Sequence, residues 1–312
     1  MSQSAMSQSA MSQWAMSGRP RLRAATRGSA LALWQTRHVA DLLGCPIDEV
    51  VVSTVGDRRT DVPIHSMGGK GVFVKEVQAA VLDGRADFAV HSGKDLPAVT
   101  SDELVVVAIP ARADARDALV GATWDSLALG ARIATGSVRR RAQMAWHRPD
   151  LNFSELRGNI QTRLEKAAGF DAIVMAAAAL ERMDIDAGIV DVLDPSIMVP
   201  QVAQGALMIE CRADDAETLA ALAMIDHAPT RRVVDAERAF LSELGGDCDL
   251  PAGAHAVLVG DEIELVGMLS SLDGRVLIRE RRTSSEPDSL GRGVARFLLD
   301  ESGGTDLLAD IR

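Results

Sequence analysis

The feature that most constrains this chain is an alternation. Short apolar runs of strand length lead into stretches of helical period, and the pattern occurs twice. Residues 21–26 (RLRAAT), 49–55 (EVVVSTV) and 87–91 (DFAVH) predict strands, with helices between them at 30–43 and 72–82. A second series predicts strands near 132–135, 151–156 and 171–177, each leading into a helix near 138–147, 159–168 and 177–183. Strands that alternate with helices pair in parallel and are covered on both faces, which sets the expected class as α/β. Residues 205–225 predict one more strand and helix that return the chain to the first sheet. From residue 230 the pattern becomes a helix, three strands and a terminal helix, a small α+β domain. The expected division is domain 1 at 19–115 with 205–228, domain 2 at 116–204 and domain 3 at 229–312. Residues 1–18 repeat M-S-Q-(S/W)-A and are expected to be a disordered tail.

Composition narrows the functions open to such a fold. The 312 residues carry a net charge of −11 and no run of about 18 apolar residues, so neither a membrane span nor nucleic acid is an expected partner. The amino-terminal repeat lacks the basic and apolar regions of a signal peptide, and a cytoplasmic protein is expected. Cys45, Cys211 and Cys248 include no C-x-x-C pair, and the six histidines have no ligand spacing, so no disulfide framework and no metal is expected. Cys45 and Cys211 stand in apolar surroundings and are expected to be buried, whereas Cys248 lies in a glycine-rich loop, GGDCDLPAG.

In open α/β sheets ligands bind beyond the carboxyl ends of the strands, and here nearly every such end carries a cation. Arg27, Gly28 and Ser29 follow the first strand, and Gly56, Asp57 and then GGKG with Lys70 and Lys75 follow the second. Ser92, Lys94 and Asp95 follow the third. In the second series Gly136, Ser137, Arg139, Arg140 and Arg141 follow one strand, and Arg157, Gly158, Asn159 and Arg163 another. Arg139 and Arg140 fall in the first turn of a helix behind the N-cap Ser137, where cations oppose the macrodipole. A bound anion reverses that argument, because free N–H groups and guanidinium forks share its oxygens. Asp95 is the acid amid these cations, suited to stabilising a cationic intermediate or to pairing with Lys94. No G-x-S-x-G elbow surrounds Ser92, and Val72 stands where a phosphate loop needs Ser or Thr after GGKG.

In their order and spacing, TRGSALALWQ (26–35), GGKGVFVKE (68–76), DFAVHSGKDLP (87–97), TGSVRR (135–140), LRGNIQTRL (156–164), QGALMIECR (204–212) and GGDCDLPAG (245–253) resemble the hydroxymethylbilane synthase, or porphobilinogen deaminase, family. The resemblance implies two doubly wound domains like those of type II periplasmic binding proteins, with an active-site cleft between them and a small α+β domain behind. It implies a transferase of tetrapyrrole synthesis that condenses four porphobilinogen molecules head to tail, releases ammonia, and hydrolyses the product to hydroxymethylbilane. It further implies a dipyrromethane cofactor joined by a thioether to Cys248, and catalysis by Asp95. Cofactor-binding positions would be Lys94, Asp57, Thr135, Gly136, Ser137, Arg139 and Arg140. Substrate-binding positions would be Arg27, Ser29, Lys70, Lys75, Arg157, Arg163 and Gln204, and the expected state is a monomer. Arg suits these carboxylates because its fork is bidentate.

Departures from the family pattern are Ala134 before Thr135, Gly93 before Lys94 and Asp247 beside Cys248; the chain has no Tyr, leaving Phe73 and Phe88 as aromatics near these motifs. The principal rival is a two-domain organic-anion binding protein of the same architecture, which would have no use for the cysteine loop. A cytosolic acyl- or phosphoryl-transfer enzyme ranks behind it, lacking a nucleotide loop.

Overall fold

Apolar neighbours such as Ala24–Ala25 and Phe88–Ala89 send successive side chains to opposite faces of a strand, so both faces need a cover. The computed structural model, which describes residues 21–58, 71–245 and 250–309, provides one. The expected tail, Lys70, Asp247 and Cys248 lie outside the described residues. The described chain divides into two units, one of residues 21–58, 71–112 and 206–231 and the other of 113–205 and 232–309.

The first unit holds a sheet of β1 (Arg23–Arg27), β2 (Asp48–Val52), β3 (Phe88–Ser92), β4 (Leu104–Ala108) and β10 (Leu207–Arg212), in the order β2-β1-β3-β10-β4. Strand β1 is parallel to β2 and β3, whereas β10 runs antiparallel to β3 and β4. Its helices are α1 (Ala30–Leu43), α2 (Val55–Arg58), α3 (Lys75–Leu82) and α7 (Ala216–Leu222). One core joins Ala24, Phe88, Val90, Leu207, Ile209 and Cys211 to Val39 and Leu43 of α1. The other joins Ala25, Val52 and Ala89 to Val77 and Val81 of α3.

The second unit repeats the plan with β5 (Asp117–Val120), β6 (Arg132–Ala134), β7 (Asn152–Ser154), β8 (Ala172–Ala176) and β9 (Val190–Val192), ordered β7-β6-β8-β5-β9. Here β6 is parallel to β7 and β8, and β5 is the reversed strand. Helices α4 (Val138–His147), α5 (Ile160–Ala167) and α6 (Ala177–Arg182) follow β6, β7 and β8. The same unit includes an antiparallel sheet of β11 (Ala252–Val259), β12 (Glu262–Ser270) and β13 (Leu277–Ser284), with α8 (Ala228–Leu244), α9 (Pro287–Arg296) and α10 (Gly304–Ala309).

The doubly wound class is the one expected, with corrections. Neither α/β sheet is wholly parallel, because each takes one reversed strand. Strands β4, β5 and β9 have no counterpart among the expected elements. Helix α3 begins at Lys75 and not at 72, since Val74 and Lys75 first turn back to the carbonyl of Gly71. Cys211 is buried as expected, and desolvation pushes its thiol up to about 11, but Cys45 is only half-buried.

Candidate active site

In the first unit the turns after β1, β2 and β3 lie side by side because those three strands are adjacent and parallel. Arg27 ends β1, and its guanidinium Nε donates to both oxygens of Asp57 at 3.1 and 3.2 Å while NH2 pairs with Oδ1. Its Cζ sits 4.2 Å from the ring centre of Phe73, and its NH1 is 3.8 Å from Asp95 Oδ2. Asp57 also accepts the Thr54 hydroxyl at 2.7 Å. Burial alone would raise the Asp57 carboxyl, but the Arg27 and Thr54 bonds outweigh it and hold the group below the usual carboxylate range. Asp95 and Lys94 stand on one 3₁₀ turn, Gly93–Asp95, whose entry is tied down by the Gly93 N–H on the Ala206 carbonyl at 2.9 Å. Ser29 caps α1, its Oγ accepting the Ala32 N–H at 3.3 Å, and Lys75 opens α3 with its side chain exposed.

In the second unit the corresponding turns follow the adjacent parallel strands β6 and β7. Ser137 caps α4 through the Arg140 N–H at 3.4 Å, and the Thr135 hydroxyl accepts the Ser137 N–H at 3.2 Å. The space at Gly136 is backbone-limited, since a Cβ there would meet the Leu156 carbonyl at 2.8 Å. Helix α4 then carries Arg139 and Arg140 inward, onto Asp117 at the start of β5. Arg139 NH1 lies 2.8 Å from Asp117 Oδ2 and donates to the Val199 carbonyl at 2.6 Å. Arg140 donates from Nε to Asp117 Oδ1 at 2.9 Å and from NH1 to the Val174 carbonyl at 3.0 Å. Gln204 completes the cluster, giving its amide N–H groups to Asp117 Oδ1 and the Ala115 carbonyl and accepting from Arg140.

This cluster is dry and carries a net positive charge. Burial would raise the Asp117 carboxyl strongly, yet Arg139 and then Arg140 pull it far below its ordinary value. Burial in turn lowers Arg139, with Asp117 opposing; an arginine there stays protonated all the same. Among the described residues Arg139 Nε and NH2 are buried with no hydrogen-bond partner. Unmade bonds of a buried charged donor are costly, so these N–H groups mark a place for an acceptor. Strand β11, which begins four residues after Cys248 in the sequence, passes directly over this arginine. A Cβ on Gly253 would lie 2.7 Å from the Pro200 carbonyl and 3.2 Å from Arg139 Cδ.

Residues 22–220 match the family profile described as porphobilinogen deaminase, dipyromethane cofactor binding domain, and residues 232–300 match porphobilinogen deaminase, C-terminal domain. The chain belongs to the porphobilinogen deaminase family. Porphobilinogen deaminase of Brevibacillus brevis is 47% identical over 302 residues, spanning 93% of this chain and 97% of that one. The Roseiflexus sp. strain RS-1 protein of the same name is 45% identical over 295 residues, spanning 91% and 97%. Among solved structures, an ancestral cationic amino acid solute binding protein aligns over 69% of this chain and 90% of that one, with 13% identity and a TM-score of 0.41. A Brucella ovis periplasmic binding protein with glutathione bound aligns over 75% and 71%, with 15% identity and a TM-score of 0.36.

A porphobilinogen deaminase cofactor domain holds a dipyrromethane group, and the donor chemistry here fits it, because Arg139 offers two buried N–H groups to a carboxylate. The structure groups Arg27, Asp57 and Asp95 in one unit and Arg139, Arg140 and Gln204 in the other. Arg157, half-buried, follows β7, and Arg163 on α5 donates to the Gly158 carbonyl at 2.8 Å. Asp95 Oδ2 pairs with Arg27 NH1 at 3.8 Å. Phe88, on β3 between β1 and β10, is fully buried in the core, whereas Phe73 lies against the Arg27 guanidinium.

Sequence reasoning missed Asp117, whose only signal is an acid heading the apolar run DALV. It also missed Gln35, which donates to the Ser92 hydroxyl at 2.9 Å, and Gln143, whose amide grips both N–H and carbonyl of Val199 beneath Arg139. Among the described residues no group of His, Cys, Asp and Glu is arranged to hold a metal, and no helix is long and apolar enough to cross a membrane.

Proposed function

We propose that this chain condenses four porphobilinogen molecules head to tail, expels ammonia at each addition, and hydrolyses the product to hydroxymethylbilane. The observation that carries the reading is the buried Arg139–Asp117–Arg140 cluster with two guanidinium nitrogens left to donate to an anion, in a chain of this family. Cys248 would carry the dipyrromethane group through a thioether. When bound, that group supplies the pyrrole carbon to which the incoming unit is joined. Arg139 and Arg140, with Thr135, Gly136, Ser137 and Lys94, would hold its acetate and propionate side chains. Asp57 would act by fixing Arg27, since Arg27 and Thr54 engage its two oxygens.

Asp95 is the proposed catalytic residue. Loss of ammonia from porphobilinogen leaves positive charge on the pyrrole, and a carboxylate fixed at the pyrrole N–H stabilises that charge and takes or returns the proton. Arg27 NH1 lies 3.8 Å from Asp95 Oδ2 and so helps to place the side chain at this spot. Arg27, Ser29, Lys70, Lys75, Arg157, Arg163 and Gln204 would bind the carboxylates of substrate and growing chain. The division at 19–115 with 205–228, 116–204 and 229–312 belongs to the same proposal, supported by separate family profiles ending at 220 and beginning at 232. A cytoplasmic monomer without nucleic-acid partners completes it, in keeping with a net charge of −11.

The test is an intact mass of the denatured, reduced protein beside a Cys248→Ser variant, before and after incubation with porphobilinogen. The reading expects two linked pyrrole units on the wild type alone, with ammonia released during turnover. A wild type that neither carries nor acquires that mass, while still binding organic anions, would favour the binding-protein reading.

A further inference from the structure

Ala203 has a φ of +56°, in the left-handed region that a residue with a Cβ rarely occupies, and Gly205 two residues on has a φ of +84°. No glycine relieves the first of these positions, so a contact must hold it. Glu237 on α8, fully buried, supplies that contact. Its Oε2 accepts the Ala203 N–H at 2.7 Å, and its Oε1 accepts the Ala256 N–H of β11 at 2.9 Å. Both partners are donors, so both oxygens must accept, which a carboxylate does and an amide does not.

The residue between the two left-handed positions is Gln204, itself fully buried. From that turn it reaches the Ala115 carbonyl at 2.8 Å, Asp117 Oδ1 at 3.0 Å and the Arg140 guanidinium at 3.4 Å. Gly205 closes the turn where a Cβ would lie 2.5 Å from the Ala113 carbonyl, and its own carbonyl accepts Arg182 NH2 at 2.6 Å. A relaxed Ala203 would swing the Gln204 side chain away, leaving Asp117 one donor short and Arg140 one acceptor short.

We infer that Glu237, a residue of the C-terminal helix–sheet region, is a positioning residue: it locks the Ala203–Gly205 turn and thereby sets Gln204, Asp117 and Arg140 for anion binding. The inference rests on the reading that this cluster holds the acidic side chains of the cofactor and growing chain. It does not require Glu237 to touch either.

The experiment compares purified holoenzyme of the wild type, Glu237→Gln, Ala203→Gly and the double variant by cofactor occupancy from intact mass, and by KM and kcat per loaded chain with porphobilinogen. Glu237→Gln is expected to lower occupancy and raise KM about tenfold, with kcat per loaded chain within about twofold of the wild type. Adding Ala203→Gly is expected to restore most of the KM and occupancy, because glycine adopts the positive φ without help. The melting temperature should recover less, since the Ala256 N–H still faces an amide. An unchanged KM in Glu237→Gln, or a folded double variant with no recovery, overturns the inference. Should Glu237→Gln fail to fold, backbone hydrogen exchange of wild-type holoenzyme decides. Strong protection of the Ala203 amide is expected, and exchange near the unprotected rate overturns the contact. A wild type that never loads cofactor sinks the cofactor reading instead, and the Ala203 amide then still decides whether Glu237 holds the turn.

Discussion

In the first unit the side chains of Arg27, Asp57 and Asp95 keep 24, 27 and 28% of their surface in water, whereas in the second Arg139, Arg140 and Asp117 keep 3, 7 and 0%. Both sets sit beyond the carboxyl ends of adjacent parallel strands, so topology does not distinguish them. Solvent does. A pair that water reaches contributes about 1 kcal/mol or less, and its members can exchange partners during a reaction. A pair from which water is excluded is held rigidly, because removing one member strands the other's charge. The wet set is therefore suited to chemistry, and the dry set to a fixed, net positive seat.

That contrast is open to direct tests. Asp117→Ala leaves two buried guanidiniums unpaired and is expected to cost about 3–5 kcal/mol in denaturant unfolding; a loss below about 1 kcal/mol would mean that water reaches the cluster and would erase the distinction. Asp95→Asn is expected to lower turnover by about 10²–10³-fold while the chain keeps its cofactor mass and its melting temperature. Near-normal kcat in that variant would move catalysis away from the wet set.

Acidification sharpens the same point. Asp117 and Asp57 both have depressed folded affinities for protons, so each stabilises the fold above the unfolded carboxyl value of about 3.9. As pH falls, the unfolded chain takes up these protons first, and the stabilisation drains away as pH drops through the folded values. Unfolding free energies between about pH 5 and pH 2 should fall less steeply in Asp117→Asn than in the wild type, and the change for Asp57→Asn should be smaller still because water screens it. The smallest expected effects are at the caps. Ser29→Ala and Ser137→Ala should each cost about 1 kcal/mol, and a much larger loss at Ser137 would tie that cap to the dry cluster beside it.

Much of this is legible in the sequence. The helix over 138–147 follows from its period and the strands at 171–177 and 87–91 from short apolar runs, and the α/β turns with their cations follow from them. Strands β4, β5 and β9 lead into no α-helix, so the strand-then-helix alternation does not single them out. The reversed direction of β5 and β10 is invisible in period, which is the same for either orientation. At the site, cations are identifiable by type and by place after a strand. Their partners are not: Asp117 is 22 residues from Arg139, and Glu237 is 34 residues from the Ala203 whose N–H it accepts. Those pairings are products of packing.

The returning strand β10 also governs how the chain comes to be folded. The central strand β3 is bordered on one side by residues 207–212, so Phe88 and Val90 await Leu207 and Ile209, which are made more than a hundred residues later. During synthesis the amino-terminal unit must therefore stay open while the whole of β5 to β9 emerges. Sequence separation of this kind slows folding and leaves apolar strand edges exposed in the interval. A nascent chain released near residue 205 would possess every cation of both sets that precedes the cut, yet would have an incomplete first sheet on which to mount half of them.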